Sequence, residues 1–145
     1  MKTYITAEQY FAAYADHPAI TDEIRANAAA MLDKVNDVMQ MMEDAGVVFT
    51  LNRHEDTPHF GSFVSGTGNG GWRPPECAIG APASRHKRGK AVDVKDANGE
   101  ADRWCDANEE ELRALGMARE APSYTVGWCH LQDGAPASGH VTFVP

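Results

Sequence analysis

Long apolar runs are missing from this chain. No stretch approaches the roughly 20 apolar residues that a membrane-spanning helix needs, so no membrane insertion is expected. The opening Met1-Lys2-Thr3-Tyr4-Ile5-Thr6 passes directly into an amphipathic segment. It lacks the continuous apolar core of a secretory signal, and the expectation is synthesis in the cytoplasm without a signal peptide. Positive charge is also scarce: 13 Lys and Arg face 21 Asp and Glu, for a formal net charge of −8. This argues against a nucleic-acid partner, which requires a basic surface. It equally argues against adhesion to anionic polymers by charge alone. Paired cysteines are absent. Cys77, Cys105 and Cys129 are odd in number, and none has the C-x-x-C spacing of a thiolate zinc site, so free thiols are expected, with one bridge plus one free thiol as the alternative. There is no internal repeat and no low-complexity tract.

What remains is an ordinary globular composition, with 43% apolar and 23% charged residues over 145 positions. Such a chain can bury a core without staples, and a single domain over 1–145, acting as a monomer, is expected. Thr6-Ala7-Glu8-Gln9 spells a capping box. A first helix follows with Tyr10, Phe11 and Tyr14, ending at His17-Pro18. A second opens near Thr21, with Asp22 and Glu23 at the positive end of its dipole. Ile24, Ala28, Met31, Leu32, Val35, Val38, Met39 and Met42 form one face, and Gly46 supplies the stop.

Beyond Gly46, Val47–Leu51 reads as a strand and Phe60–Ser65 as a second strand. The glycines from Gly66 to Gly71 mark a loop. Lys90–Val94 alternates as a strand, and Asp96-Ala97-Asn98-Gly99 is a turn. Asn108–Glu111 spells another capping box, opening a helix that ends at Gly116. Tyr124–Gln132 and Val141–Val144 are the last strands. Helices first, then strands with interspersed helices, suggest an α+β fold with a small antiparallel sheet flanked by helices.

The chemistry concentrates in Ser84-Arg85-His86-Lys87-Arg88-Gly89-Lys90-Ala91-Val92-Asp93. A loop entering a strand can bring a histidine and an aspartate to one point. Gly89 allows the turn and Ala91 permits close packing. Downstream, His130 stands in Gly127-Trp128-Cys129-His130-Leu131. Two imidazoles and a carboxylate are the three-ligand set of a catalytic zinc site that keeps one position open. Read singly, His86 fits an exposed basic turn and His130 a core histidine; read together, they point to metal. Strand alternation places His130 with Trp128 on one face and Cys129 on the other. His17, His54, His59 and His140 read as ordinary surface or turn residues.

The pattern S-x-H-x-x-G-x-A-x-D followed by W-x-H resembles the signature of the M15 family of zinc peptidases. That family includes D-Ala-D-Ala carboxypeptidases and dipeptidases and phage endolysin peptidases. Gly71-Trp72-Arg73-Pro74-Pro75 resembles the S-G-[WY]-R-P element preceding the metal motif in that family. The order of helical stretch with Asn27 and Val35-Asn36, W-R-P element, metal motif and W-x-H-L-Q is similar to compact phage members. The tail from Pro136 is similar too.

The resemblance implies a hedgehog/DD-peptidase-like fold and Zn2+ held by His86, Asp93 and His130. It implies that Arg73 binds a substrate oxygen. Ser84 would either bind substrate or hold the ligand loop. It also implies a peptidase acting on peptidoglycan peptide stems, phage- or prophage-encoded, reaching the cell wall after release or as a virion component. The chain departs from the family at the general base. Many members carry an acid three residues before the last histidine, and others a histidine two residues before it. Here those positions are Gly127 and Trp128. Glu120 is the candidate catalytic base instead, with a bend at Pro122 returning it to the site, and Asp133 is a further one. Gly127 also leaves open a different class: a zinc-fold module without efficient hydrolysis, serving as a phage structural or wall-binding protein.

Overall fold

The computed structural model describes residues 2–79 and 84–145. It is a mixed α/β structure with a four-stranded sheet and several helices, compatible with α+β. The Thr6 capping box forms in both directions: Gln9 N–H donates to Thr6 Oγ1 at 3.1 Å, and Thr6 N–H donates to Gln9 Oε1 at 2.9 Å. The helix it opens, α1 (Ala7–Phe11), is shorter than expected and passes into a 3-10 turn, Ala12–Tyr14. The Tyr10 carbonyl, which would accept from Tyr14 in a longer helix, is taken by the Trp72 amide at 3.2 Å.

Helix α2 (Asp22–Asp44) is capped by Thr21 and buries Ala28, Met31, Leu32, Val35, Val38, Met39 and Met42. Full burial of each larger side chain contributes about 1.5–3 kcal/mol. At its end Gly46 takes φ 96°, while Gly46 and Val47 amides satisfy the Glu43 and Met42 carbonyls. Such left-handed closure favours glycine. Two asparagines tie α2 down. Asn36 Oδ1 accepts from the Tyr4 and Ile5 amides at 2.8 and 3.0 Å, and Asn27 donates to Arg88 O at 3.0 Å.

Strand β1 (Ala91–Lys95) follows, then α3 (Glu100–Ala107), α4 (Glu109–Ala114), β2 (Met117–Glu120), β3 (Trp128–Asp133) and β4 (Thr142–Phe143). The sheet order is β1-β3-β2-β4. β1 and β2 flank β3 antiparallel, but β4 runs parallel to β2, so the sheet is not purely antiparallel. Leu131 and Cys129 face the helical layer, with Cys129 Sγ 3.9 Å from Cys105 Sγ of α3. His130 and Gln132 lie on the opposite face.

Several sequence expectations fail locally, one being the strand Tyr124–Gln132, which starts only at Trp128 after a 3-10 turn over Pro122–Tyr124. Val47–Leu51 is not a strand: Val48 is 70% exposed, and Phe49 instead packs its ring against Tyr4 and Phe63. Phe60–Ser65 contributes only a single bridge, Val64 to Val94. The Asn108 capping box does not form, because Asn108 donates its amide back to Trp104 O at 2.8 Å and finishes α3. The turn at Asp96 also begins a helix not anticipated, α3: Asp96 carboxylate oxygens accept from Ala101 and Asp102 amides at 2.9 and 3.0 Å. The three cysteines are free. Among the described residues no helix is long and apolar enough to cross a membrane.

Candidate metal centre

The ligand loop is a 3-10 turn, Arg85–Arg88, whose N-cap is Ser84. Ser84 Oγ accepts from the His86 amide at 3.3 Å, so this serine holds the loop, and it also borders the cavity in front of it. Gly89 closes the turn at φ 76°, and a Cβ there would meet Ile24 O of α2 at 2.7 Å. Glycine is thus required twice over, by conformation and by space.

The G-W-R-P element packs behind this loop. Trp72 is buried and its indole N–H donates to Lys87 O at 3.1 Å. Gly71 O lies 2.9 Å from His86 Nδ1. A carbonyl only accepts, so Nδ1 carries the proton and Nε2 presents a lone pair. A Cβ on Gly71 would stand 2.1 Å from Tyr10 O, which explains a glycine at this position.

Asp93 is fixed through its backbone. Its N–H donates to Gly70 O and its C=O accepts from Ser65 N–H, both at 2.8 Å. Both groups point away from β3, so Asp93 and His130, which are register partners, form the non-hydrogen-bonded type of pair. In that type the facing side chains come closest. His130 Nδ1 is 3.0 Å from Asp93 Oδ1, and His86 Nε2 is 3.3 Å from the same oxygen. All three residues are buried.

These separations fit a metal. Two ligands each about 2.0–2.1 Å from a tetrahedral ion lie roughly 3.3–3.4 Å apart. One ligand atom from each of His86, Asp93 and His130 lies within 4.8 Å of the others. His86 Nε2 is buried and makes no hydrogen bond among the described residues, despite its proximity to Asp93. A buried acceptor aimed at a carboxylate is costly unless a cation stands between them. Without a cation, burial opposes ionisation of Asp93, yet the two imidazoles outweigh it and hold the carboxyl below its ordinary range. For His130, burial disfavours the charged ring, while the Asp93 hydrogen bond and charge prevail and raise its pKa.

The surrounding cavity has a volume of about 360 Å3. Arg73 lines it, with Nη2 3.4 Å from Asp93 Oδ2 and Nε donating to Asn69 O at 2.7 Å. Glu120 lines it as well. β2 and β3 pair Ala118 with Gln132 and Arg119 with Leu131, and continuing that register sets Glu120 beside His130. Strand pairing, with no need for a bend at Pro122, brings it there. Phe143, the β4 partner of Glu120, meets the His130 ring edge-on at 6.0 Å.

Asp133 is excluded from the site, since it faces α2 and pairs with Lys34 at 2.7 Å. Gly127, at φ 95°, is a position that disfavours any side chain, acidic or otherwise. Of the remaining histidines, His17 pairs with Glu76 at 2.7 Å. His59 departs from its expected surface role: it is 2% exposed, and its burial lowers its pKa. Sequence reasoning passed over Gln132, whose Oε1 is 2.9 Å from His130 Nε2. Its position two residues past the ligand on the same strand face was the available signal. Comparisons with protein-family models, curated proteins and solved structures gave no significant match to this chain.

Proposed function

We propose that this chain is a zinc-dependent peptidase of the M15 type, with a hedgehog/DD-peptidase-like fold, that hydrolyses a peptide bond in peptidoglycan stems. The observation that carries the reading is the convergence of His86 Nε2, Asp93 Oδ1 and His130 Nδ1 at metal-ligand spacing, within the motif that names that family. The donor set suits zinc, which takes imidazole nitrogen and carboxylate oxygen and, in catalytic sites, three protein ligands. Bound there, zinc would supply Lewis-acid polarisation of the scissile carbonyl and a water acidic enough to attack near neutral pH.

The chain's own residues divide the remaining work. Glu120, which lines the cavity with His130, would accept a proton from the attacking water and return it to the leaving amine. Arg73 offers its guanidinium to a substrate oxygen, where a permanently charged donor also opposes developing negative charge. Ser84 holds the His86 backbone and the Gly71 carbonyl keeps its ring oriented. The enzyme would act on the wall after release from the cell or as part of a virion.

Purified muropeptides incubated with the zinc-loaded protein, with and without a chelator, test this by mass spectrometry. A peptide fragment that appears only with metal supports hydrolysis and identifies the bond. A second reading keeps the metal but not the chemistry: a wall-binding or virion structural module. The absence of an acid at Gly127, where many M15 peptidases carry one, favours it. Zinc-loaded protein that yields no product across several wall chemistries selects that second reading.

A further inference from the structure

His86 is oriented by a backbone carbonyl, and His130 has a counterpart that runs through a side chain. His130 Nε2 lies 2.9 Å from Gln132 Oε1, and Gln132 Nε2 donates to Gly134 O at 2.8 Å. A carbonyl accepts and never donates, so Gly134 decides which end of the amide faces it. Gln132 must therefore turn its oxygen, not its nitrogen, toward His130. An imidazole nitrogen that faces an acceptor carries the proton. Nε2–H then donates to Gln132, and Nδ1 is left to serve the point it shares with His86 and Asp93. Gln132 is buried at 4% exposure, and Gly134 is itself pinned by its N–H, which donates to Gly116 O at 2.8 Å.

We infer that Gln132 is a positioning residue for the metal, selecting the Nε2–H form of His130 so that Nδ1 is the ligand atom. This rests on the metal reading above and extends it to a side chain that does not touch the ion. The competing form is built into the site. Asp93 Oδ1, 3.0 Å from Nδ1, would by itself draw a proton onto that nitrogen and block ligation. The acceptor on the far side of the ring opposes this.

The test is zinc affinity by competition with a chromophoric chelator, for wild type, Gln132→Leu and Gln132→Glu at one pH. It is paired with the imidazole N–H spectrum of the zinc-loaded proteins. Gln132→Leu is expected to weaken zinc about 10- to 100-fold, the usual effect of losing such a partner. The His130 Nε2–H signal, sharp in wild type, should broaden by exchange with water. Gln132→Glu keeps an acceptor at the same reach and should recover most of the affinity and the sharp signal, which also covers a leucine variant that folds poorly. Wild type that binds no zinc overturns the metal reading and this inference with it. Wild type that binds zinc while Gln132→Leu matches it in affinity and signal overturns the positioning role alone. A loss that Gln132→Glu does not recover assigns Gln132 to packing and likewise overturns it.

Discussion

Two charged clusters with buried centres sit on opposite faces of the same small sheet, and their donor–acceptor accounts differ. Behind the sheet, Arg119 is wholly buried and meets Asp102 Oδ1 at 2.9 Å, Asp102 O at 3.0 Å and Asp106 Oδ1 at 2.6 Å. Thr142 adds another acceptor, and only the Nε donor is left over. Donors there face acceptors, as a structural ion cluster requires. In front, the arrangement is reversed. Gly71 holds the proton of His86 on the far nitrogen, so a lone pair faces the carboxylate of Asp93. Acceptor faces acceptor around one point, and only a cation or a proton resolves that. Arg119 and Asp102 are as buried as His86, Asp93 and His130; the surplus of acceptors is what singles out the candidate metal site.

The largest effect is expected at His86. His86→Ala removes one of three ligands, so zinc binding and any hydrolysis should be lost, as read by metal content after dialysis and by muropeptide turnover. Retained zinc would sink the assignment. Glu120→Gln should keep zinc but lower kcat by about 10²–10⁴, the usual contribution of a general base. Unchanged turnover would move the base elsewhere. Arg119→Ala strikes the other cluster. Leaving Asp102 unpaired should cost about 3–5 kcal/mol of stability, seen in chemical denaturation, while the folded fraction still binds zinc stoichiometrically.

The smallest effect concerns pH. In the metal-free protein Asp93 is held below its ordinary pKa and His130 above it. The Asp93 contribution to stability is present above its unfolded value and lost as pH falls through the folded one. The His130 contribution is present below its unfolded value and lost as pH rises through the folded one. With unfolded values near 3.9 and 6.5, the metal-free pair helps most between about pH 4 and about pH 6.5. Zinc needs His130 Nδ1 unprotonated. The rise in Tm on adding zinc should therefore grow as pH rises through the raised His130 value, which lies above about pH 6.5. A rise that shrinks with pH would contradict protonic competition at this site.

The candidate metal cluster was legible because its information is local. His86, Gly89 and Asp93 sit within one turn and one strand, and His130 lies directly across from Asp93. Arg73 and Ser84 were legible with them, since both border the same cavity. Glu120 was singled out as the nearest upstream carboxylate and does border the cavity, but its strand was not legible: β2 has only four residues, and its place beside β3 is a tertiary fact. Helix α3 was missed because its capping carboxylate, Asp96, sits four residues before its first residue and reads as part of a turn. The strand expected at Val47–Leu51 rested on β-branched content, which marks a surface suited to pairing without saying that a partner edge exists. β1 spends its free edge on Ser65, Phe63 and Gly70 instead. The parallel placement of β4 depends on how the tail returns after Gly134, and no local pattern encodes that.

The most direct test of the account is anomalous diffraction at the zinc edge from crystals of the zinc-loaded protein. One peak is expected about 2.0–2.1 Å from His86 Nε2, Asp93 Oδ1 and His130 Nδ1. Absence of a peak at that point, or ligation of His130 through Nε2, would contradict it.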